Sequence, residues 1–154
     1  MVDDNFRRTW TERAGNYFTD TFGIAPIAAR LLAWLMICEP AEQSGAELSA
    51  ALGASRASIT TGLRLTQAAG LVSRRSRPGD RTVYYVIDHD AWHTVLRRRI
   101  GAMATFVEIA DGALHRMPDD PSATRIGAAR DIFAWLGTLT DAPQLHRTRQ
   151  EPTP

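Results

Sequence analysis

Residues 55–87 read SRASITTGLRLTQAAGLVSRRSRPGDRTVYYVI, and the organisation of the chain turns on what this stretch can form. Ser55 is a residue type that caps a helix by accepting an orphan backbone N–H of the first turn. Ile59 and Leu63, four apart, then give that helix an inward stripe, and it runs through Ala69 until Gly70 closes it. The pattern changes at once afterwards. Leu71 to Arg77 and Arg81 or Thr82 to Ile87 are strand-like, and Pro78, Gly79 and Asp80 between them are turn formers, so a hairpin is predicted. Val83, Tyr84, Tyr85, Val86 and Ile87 are all apolar or aromatic, and alternation does not say which face of the second strand is buried.

Upstream, Ser44 followed by Glu47 is a capping-box pattern that opens a short helix over residues 45–52, with Gly53 as a tight exit. Before it, residues 3–22 carry Phe6, Trp10, Ala14, Tyr17 and Phe18 at helical spacing and end at Gly23. A second helix starts at Pro26, carries Ile27, Leu31, Leu32, Trp34, Leu35 and Ile37, and is stopped by Pro40; being apolar on most sides, it is expected to be buried. Downstream, Trp92, Val95, Leu96, Ile100, Met103, Phe106, Val107, Ala110, Leu114 and Met117 form one stripe, which predicts a single long helix from Ala91 to Met117. Asp120 and Pro121 are read as the N-cap and first turn of a last helix with Ile126, Ala129, Phe133, Leu136 and Leu139, ended by Pro143.

The chain has 154 residues, 44% apolar and 23% charged, which is the composition of an ordinary globular protein. Its net charge is +1, but residues 53–99 hold nine arginines against three acids, a local balance of +6. All 18 basic residues are arginine, the side chain suited to bidentate phosphate and guanine contacts. A lone cysteine, Cys38, cannot form an intramolecular bridge, and without a basic neighbour in sequence it reads as an inert thiol rather than a redox sensor. The start of the chain lacks the pattern of a signal peptide, and the longest apolar run, Leu31 to Cys38, falls far short of the roughly 20 residues that span a bilayer. A cytoplasmic protein with no membrane segment is expected.

A short capped helix, a tight turn, a second capped helix and a basic hairpin follow in the order of a winged helix-turn-helix, whose second helix enters the major groove of DNA. With Ile59 and Leu63 turned inward, Arg56, Ser58, Thr60, Thr61, Arg64 and Gln67 point elsewhere, a face of hydroxyls, an amide and arginines without a carboxylate. Ser55, Arg56, Ser58, Thr60, Thr61 and Arg64 are therefore the expected contacts of the helix. Arg74, Arg75, Arg77 and Arg81 are those of the wing, against backbone or minor groove. The competing reading is a protein-interaction module built on a winged helix, which has no need of four arginines on the hairpin. No nucleotide-binding glycine loop or nucleophile elbow is present, so no enzyme activity and no cofactor are expected. His89 and His93, beside Asp88 and Asp90, straddle a strand-to-helix junction, with Asp90 read as a helix N-cap, and no metal site is expected there. Trp10, Trp34 and Trp92 are the candidate lining of a small-molecule effector pocket, with core and interface packing as their alternative role.

The stretch from Gly23 to Trp92 resembles the DNA-binding core of MarR-type regulators, and in detail the GbsR-like branch. The residues that carry this are Ser55-Arg56-Ala57-Ser58-Ile59, Ala68-Ala69-Gly70-Leu71-Val72, Arg77-Pro78-Gly79-Asp80-Arg81, Tyr84-Tyr85 and Asp90-Ala91-Trp92. Thr66 and Ala69 stand where the family usually has larger aliphatics, with Leu65 as the compensating side chain, and Thr82 stands where a second wing arginine is common. The resemblance implies a mainly α fold with a small β-hairpin wing (α+β). It implies an N-terminal helix over residues 1–22 that contributes to dimerisation, a winged helix-turn-helix over 23–90 and C-terminal dimerisation helices over 91–142; after Pro143 the sequence itself predicts a disordered tail over 143–154. The functional implication of the resemblance is a homodimer on double-stranded, pseudo-palindromic operator DNA, a repressor released by a small molecule.

Overall fold

A computed structural model of the chain describes residues 3–139. The expected stop at Pro143 and the expected disordered tail lie outside the described residues. The chain is mostly helical with one small antiparallel sheet, the architecture of a winged helix, and divides into two compact units between Trp92 and His93.

In the first unit, α1 (Asp4–Phe22) opens on Asp3, whose carboxylate accepts the Phe6 N–H at 2.6 Å, and closes on Gly23 in the left-handed region. α2 (Pro26–Leu35) is the core element, with Ala28, Ala29, Leu31, Leu32, Ala33 and Leu35 all buried. It stops sooner than Pro40 predicts, because its last turn tightens and the Ile37 N–H takes the Trp34 carbonyl at 3.0 Å. α3 (Gly45–Leu52) carries the predicted capping box in full: the Ser44 N–H donates to Glu47 Oε2 at 2.6 Å and the Glu47 N–H to Ser44 Oγ at 3.2 Å. The Ser44 bonds hold the Glu47 carboxyl below its usual pKa.

α4 (Arg56–Ala68) packs on α2 through Ile59 and Leu63, both buried as predicted. Thr66 is 1% exposed and its hydroxyl donates to the Leu63 carbonyl at 3.0 Å, which is how a polar side chain occupies that site. Leu65 does not compensate for it: it lies on the outer side of the helix, 36% exposed. The hairpin strands are β2 (Val72–Ser76) and β3 (Val83–Ile87), paired from Val72 opposite Ile87 to Ser76 opposite Val83. A third strand was not legible in the sequence. β1 (Gln43–Ser44) pairs with β3 on its other edge, so the order is β1-β3-β2. Two residues show no period, and one of them already serves as the cap of α3.

Cys38 is 6% exposed, and burial pushes its thiol up to about 11. At pH 8 the thiolate fraction should then be about 100-fold below that of a free cysteine, since the thiolate is the reactive form. Labelling of the folded protein by iodoacetamide should be slower by at least that factor. Labelling at the rate of a small thiol would show the side chain to be exposed.

In the second unit the predicted single helix is two, α5 (Ala91–Ala104) and α6 (Phe106–Arg116). The break falls at Thr105, whose hydroxyl donates back to the Ala102 carbonyl at 2.7 Å. α7 (Ala123–Thr138) begins after the Asp120–Pro121 pair, not with it, because the Asp120 carboxylate is occupied in a turn with the Ser122 N–H at 2.7 Å. α6 and α7 pack through Phe106 and Phe133, centroids 4.8 Å apart, and through Arg130 Nε on Asp111 Oδ1 at 2.8 Å. Ile109, Ile132 and Trp135 are left 60–70% exposed.

Candidate nucleic-acid interface

The helix-turn-helix is positioned by two helix caps. Ser55 ends the turn after Gly53 and accepts the Ser58 N–H at 3.2 Å, starting α4. Its hydroxyl also bonds the Ser58 hydroxyl at 2.9 Å, and the Thr60 hydroxyl donates to the Arg56 carbonyl at 2.9 Å. Of the hydroxyls expected to face DNA, Ser55, Ser58 and Thr60 thus already serve the helix itself. Thr61 is exposed and keeps its hydroxyl free among the described residues.

Gly62 holds this helix where it is, and the sequence reading passed over it. A Cβ built there would fall on Leu31 Cδ1, the tip of a buried side chain that would have to shift to admit it, so glycine lets α4 lie close against α2. The available signal was a glycine inside an otherwise good helix, a placement that costs roughly 1 kcal/mol and so requires a packing reason.

Between α4, the start of α3 and the wing lies a groove of about 570 Å³. Its helix side is formed by Arg56, Thr60, Arg64 and Gln67, four positions along one stripe, and its wing side by Thr82, Val83 and Tyr85. The register resolves the question that alternation left open. Val72 and Ile87 are the buried pair, so Val83 and Tyr85 share their face, and Arg74, opposite Tyr85, belongs to it too. Arg75, opposite Tyr84, lies on the other face.

The wing tip is a turn in which the Asp80 N–H bonds the Arg77 carbonyl at 3.1 Å, with Pro78 second and Gly79 third at φ 78°, the pattern of a type II turn. Among the described residues, Arg56, Arg64, Arg74, Arg75 and Arg81 are exposed and make no ion pair or side-chain hydrogen bond. Arg77 is different. Its Nη2 donates to Glu42 Oε2 at 3.0 Å and its guanidinium lies 4.1 Å over the Tyr84 ring. The Glu42 bond holds the Arg77 pKa above its ordinary value.

The three tryptophans are not brought to one pocket. Trp10 lines an apolar groove of about 490 Å³ with Phe6, Tyr17 and Met36, its indole N–H donating to the Ala33 carbonyl at 3.2 Å. Trp34 lines a separate cavity of about 310 Å³ with Arg8 and Arg30. Trp92 stacks on Phe18, centroids 5.2 Å apart. Among the described residues no cluster of His, Cys, Asp and Glu could hold a metal ion, and no helix is long and apolar enough to cross a membrane.

The sequence model of the MarR family matches residues 22–81, the span from the end of α1 to the wing. The HTH-type transcriptional regulator MmpR5 of Mycobacterium tuberculosis is 35% identical over 136 residues, covering 86% of this chain and 82% of that protein. The crystal structure of a transcriptional regulator superposes with a TM-score of 0.67 at 33% identity, covering 94% of this chain and 99% of that one. These relatives are regulators of transcription, not enzymes.

Proposed function

We propose that this chain, since it belongs to the MarR family of winged-helix transcriptional regulators, binds operator DNA sequence-specifically as a homodimer in the cytoplasm. The observation that carries the reading is the groove between α4 and β3, bordered by arginines with no partner among the described residues. Arginines held unpaired on a scaffold of this order suit a polyanion, and α4 offers Arg56, Thr61, Arg64 and Gln67 to base edges while Arg74, Arg75 and Arg81 meet phosphates or the minor groove. The similarity of the recognition helix and wing to the GbsR-like branch is part of this reading. So is action as a repressor released by a small effector, for which the apolar groove beside Trp10 offers a lining. Dimerisation is supported by apolar side chains that a single copy leaves in water, Ile109 on α6 and Ile132 and Trp135 on α7, with Phe6 and Tyr17 on α1 placing the effector groove at the edge of that interface.

Arg64→Ala is the test of the helix. A bidentate arginine on guanine contributes about 1–3 kcal/mol of discrimination. Competition between operators changed one base pair at a time should therefore show relaxed preference at one position of each half-site. An unchanged profile of preferences in a variant that still binds would place the reading surface elsewhere.

A further inference from the structure

We infer that Arg77 is a positioning residue of the wing rather than a DNA contact, clasped between Glu42 and Tyr84; the inference rests on the DNA-binding reading above and refines it. The clasp is closed at every end. Arg77 donates to Glu42 and covers the Tyr84 ring, the Tyr84 hydroxyl donates to Asp80 Oδ2 at 3.0 Å, and Asp80 Oδ1 accepts the Thr82 N–H at 2.8 Å. These bonds run from the hairpin tip to the residue preceding β1. They brace a pairing of β1 with β3 that amounts to Gln43 opposite Tyr85 and Ser44 opposite Tyr84. The same bonds keep the Asp80 carboxyl below its usual pKa and the Tyr84 hydroxyl above its own.

Charge gives the second argument. Among the described residues Arg77 is the wing arginine that is neutralised, while Arg74, Arg75 and Arg81 have no ion-pair partner. Were Arg77 to leave for a phosphate, Glu42 would remain unpaired beside the DNA and repel it, so much of the contact would be lost again. Held in place, Arg77 cancels Glu42 and fixes the tilt of the strands that carry the free arginines. With side chains 52% and 34% exposed, the pair contributes modestly, as exposed ion pairs do.

The experiment compares Arg77→Gln, Glu42→Gln, their double variant and the charge-swapped pair Arg77→Glu with Glu42→Arg. It reads operator affinity against salt and amide hydrogen exchange of β3 without DNA. Each single variant should lose about two- to fivefold in affinity, the double variant no more than either, and the swapped pair should recover most of the loss. The salt slope should stay that of the parent, whereas losing a phosphate contact lowers it by about 0.9. Exchange in β3 should quicken in both singles. A salt slope reduced by Arg77→Gln, with Glu42→Gln binding as well as the parent or better, would overturn the inference in favour of a phosphate contact; so would β3 exchange unchanged in either single. Faster β3 exchange in both singles, with a parent chain that binds no DNA, would instead sink the regulator reading and leave the clasp standing.

Discussion

Gly62→Ala is expected to destabilise the winged domain although alanine is the better helix former. The intrinsic gain is about 1 kcal/mol. Against it, the new Cβ would fall on Cδ1 of Leu31, a side chain with no exposed surface that must repack among buried neighbours, and 3.3 Å from Cγ1 of Ile27. Overpacking of this kind costs typically 1–3 kcal/mol and rises with side-chain size. The net expectation is a loss of about 1–2 kcal/mol for alanine and more for valine, read as a lower midpoint in urea. Gly112→Ala on α6, where a Cβ meets nothing within 4 Å, is the control and should gain up to about 1 kcal/mol. Trimming Leu31 to valine in the Gly62→Ala background should recover part of the loss, since the two sites share one contact. A Gly62→Ala variant as stable as the Gly112→Ala control would show that α4 does not lie so close to α2.

What the sequence conveyed and what it withheld divide by range. The capping box at Ser44 and Glu47, the cap at Ser55 and the turn at Pro78–Gly79 are local signals, each complete within a few residues, and each appears as read. The reason for Gly62 lies on another helix, and the partner of Arg77 is 35 residues away, so no window of sequence contains either pair. The helix is interrupted at Thr105 while the apolar stripe continues past it unbroken, which is why periodicity alone predicted one element there. Leu65 shows the same limit: comparison with the family pattern offered it as the side chain compensating for Thr66 and Ala69, but its position on the helix turns it outward while Thr66 is buried. The groove was half legible. Its helix side followed from the placement of Ile59 and Leu63, but Tyr85 became part of it only through the strand register.

Reading two half-sites through α4 demands a particular geometry between two copies of the chain. If the exposed apolar side chains of α1 and α7 join two chains about a two-fold axis, the two copies of α4 face successive major grooves on one side of the duplex, about 34 Å apart. Light scattering should accordingly return a dimer at micromolar concentration. Operator half-sites centred about one helical turn apart should bind tightly, and adding about half a turn of spacer rotates one half-site to the far side of the duplex, out of reach of the second recognition helix. The deciding measurement is the affinity of the chain for its operator with and without that half-turn insertion, at a single salt concentration. A loss of about 100-fold or more, toward the affinity for unrelated DNA, is the predicted result. Equal affinity for both duplexes would contradict a dimer reading two half-sites through α4.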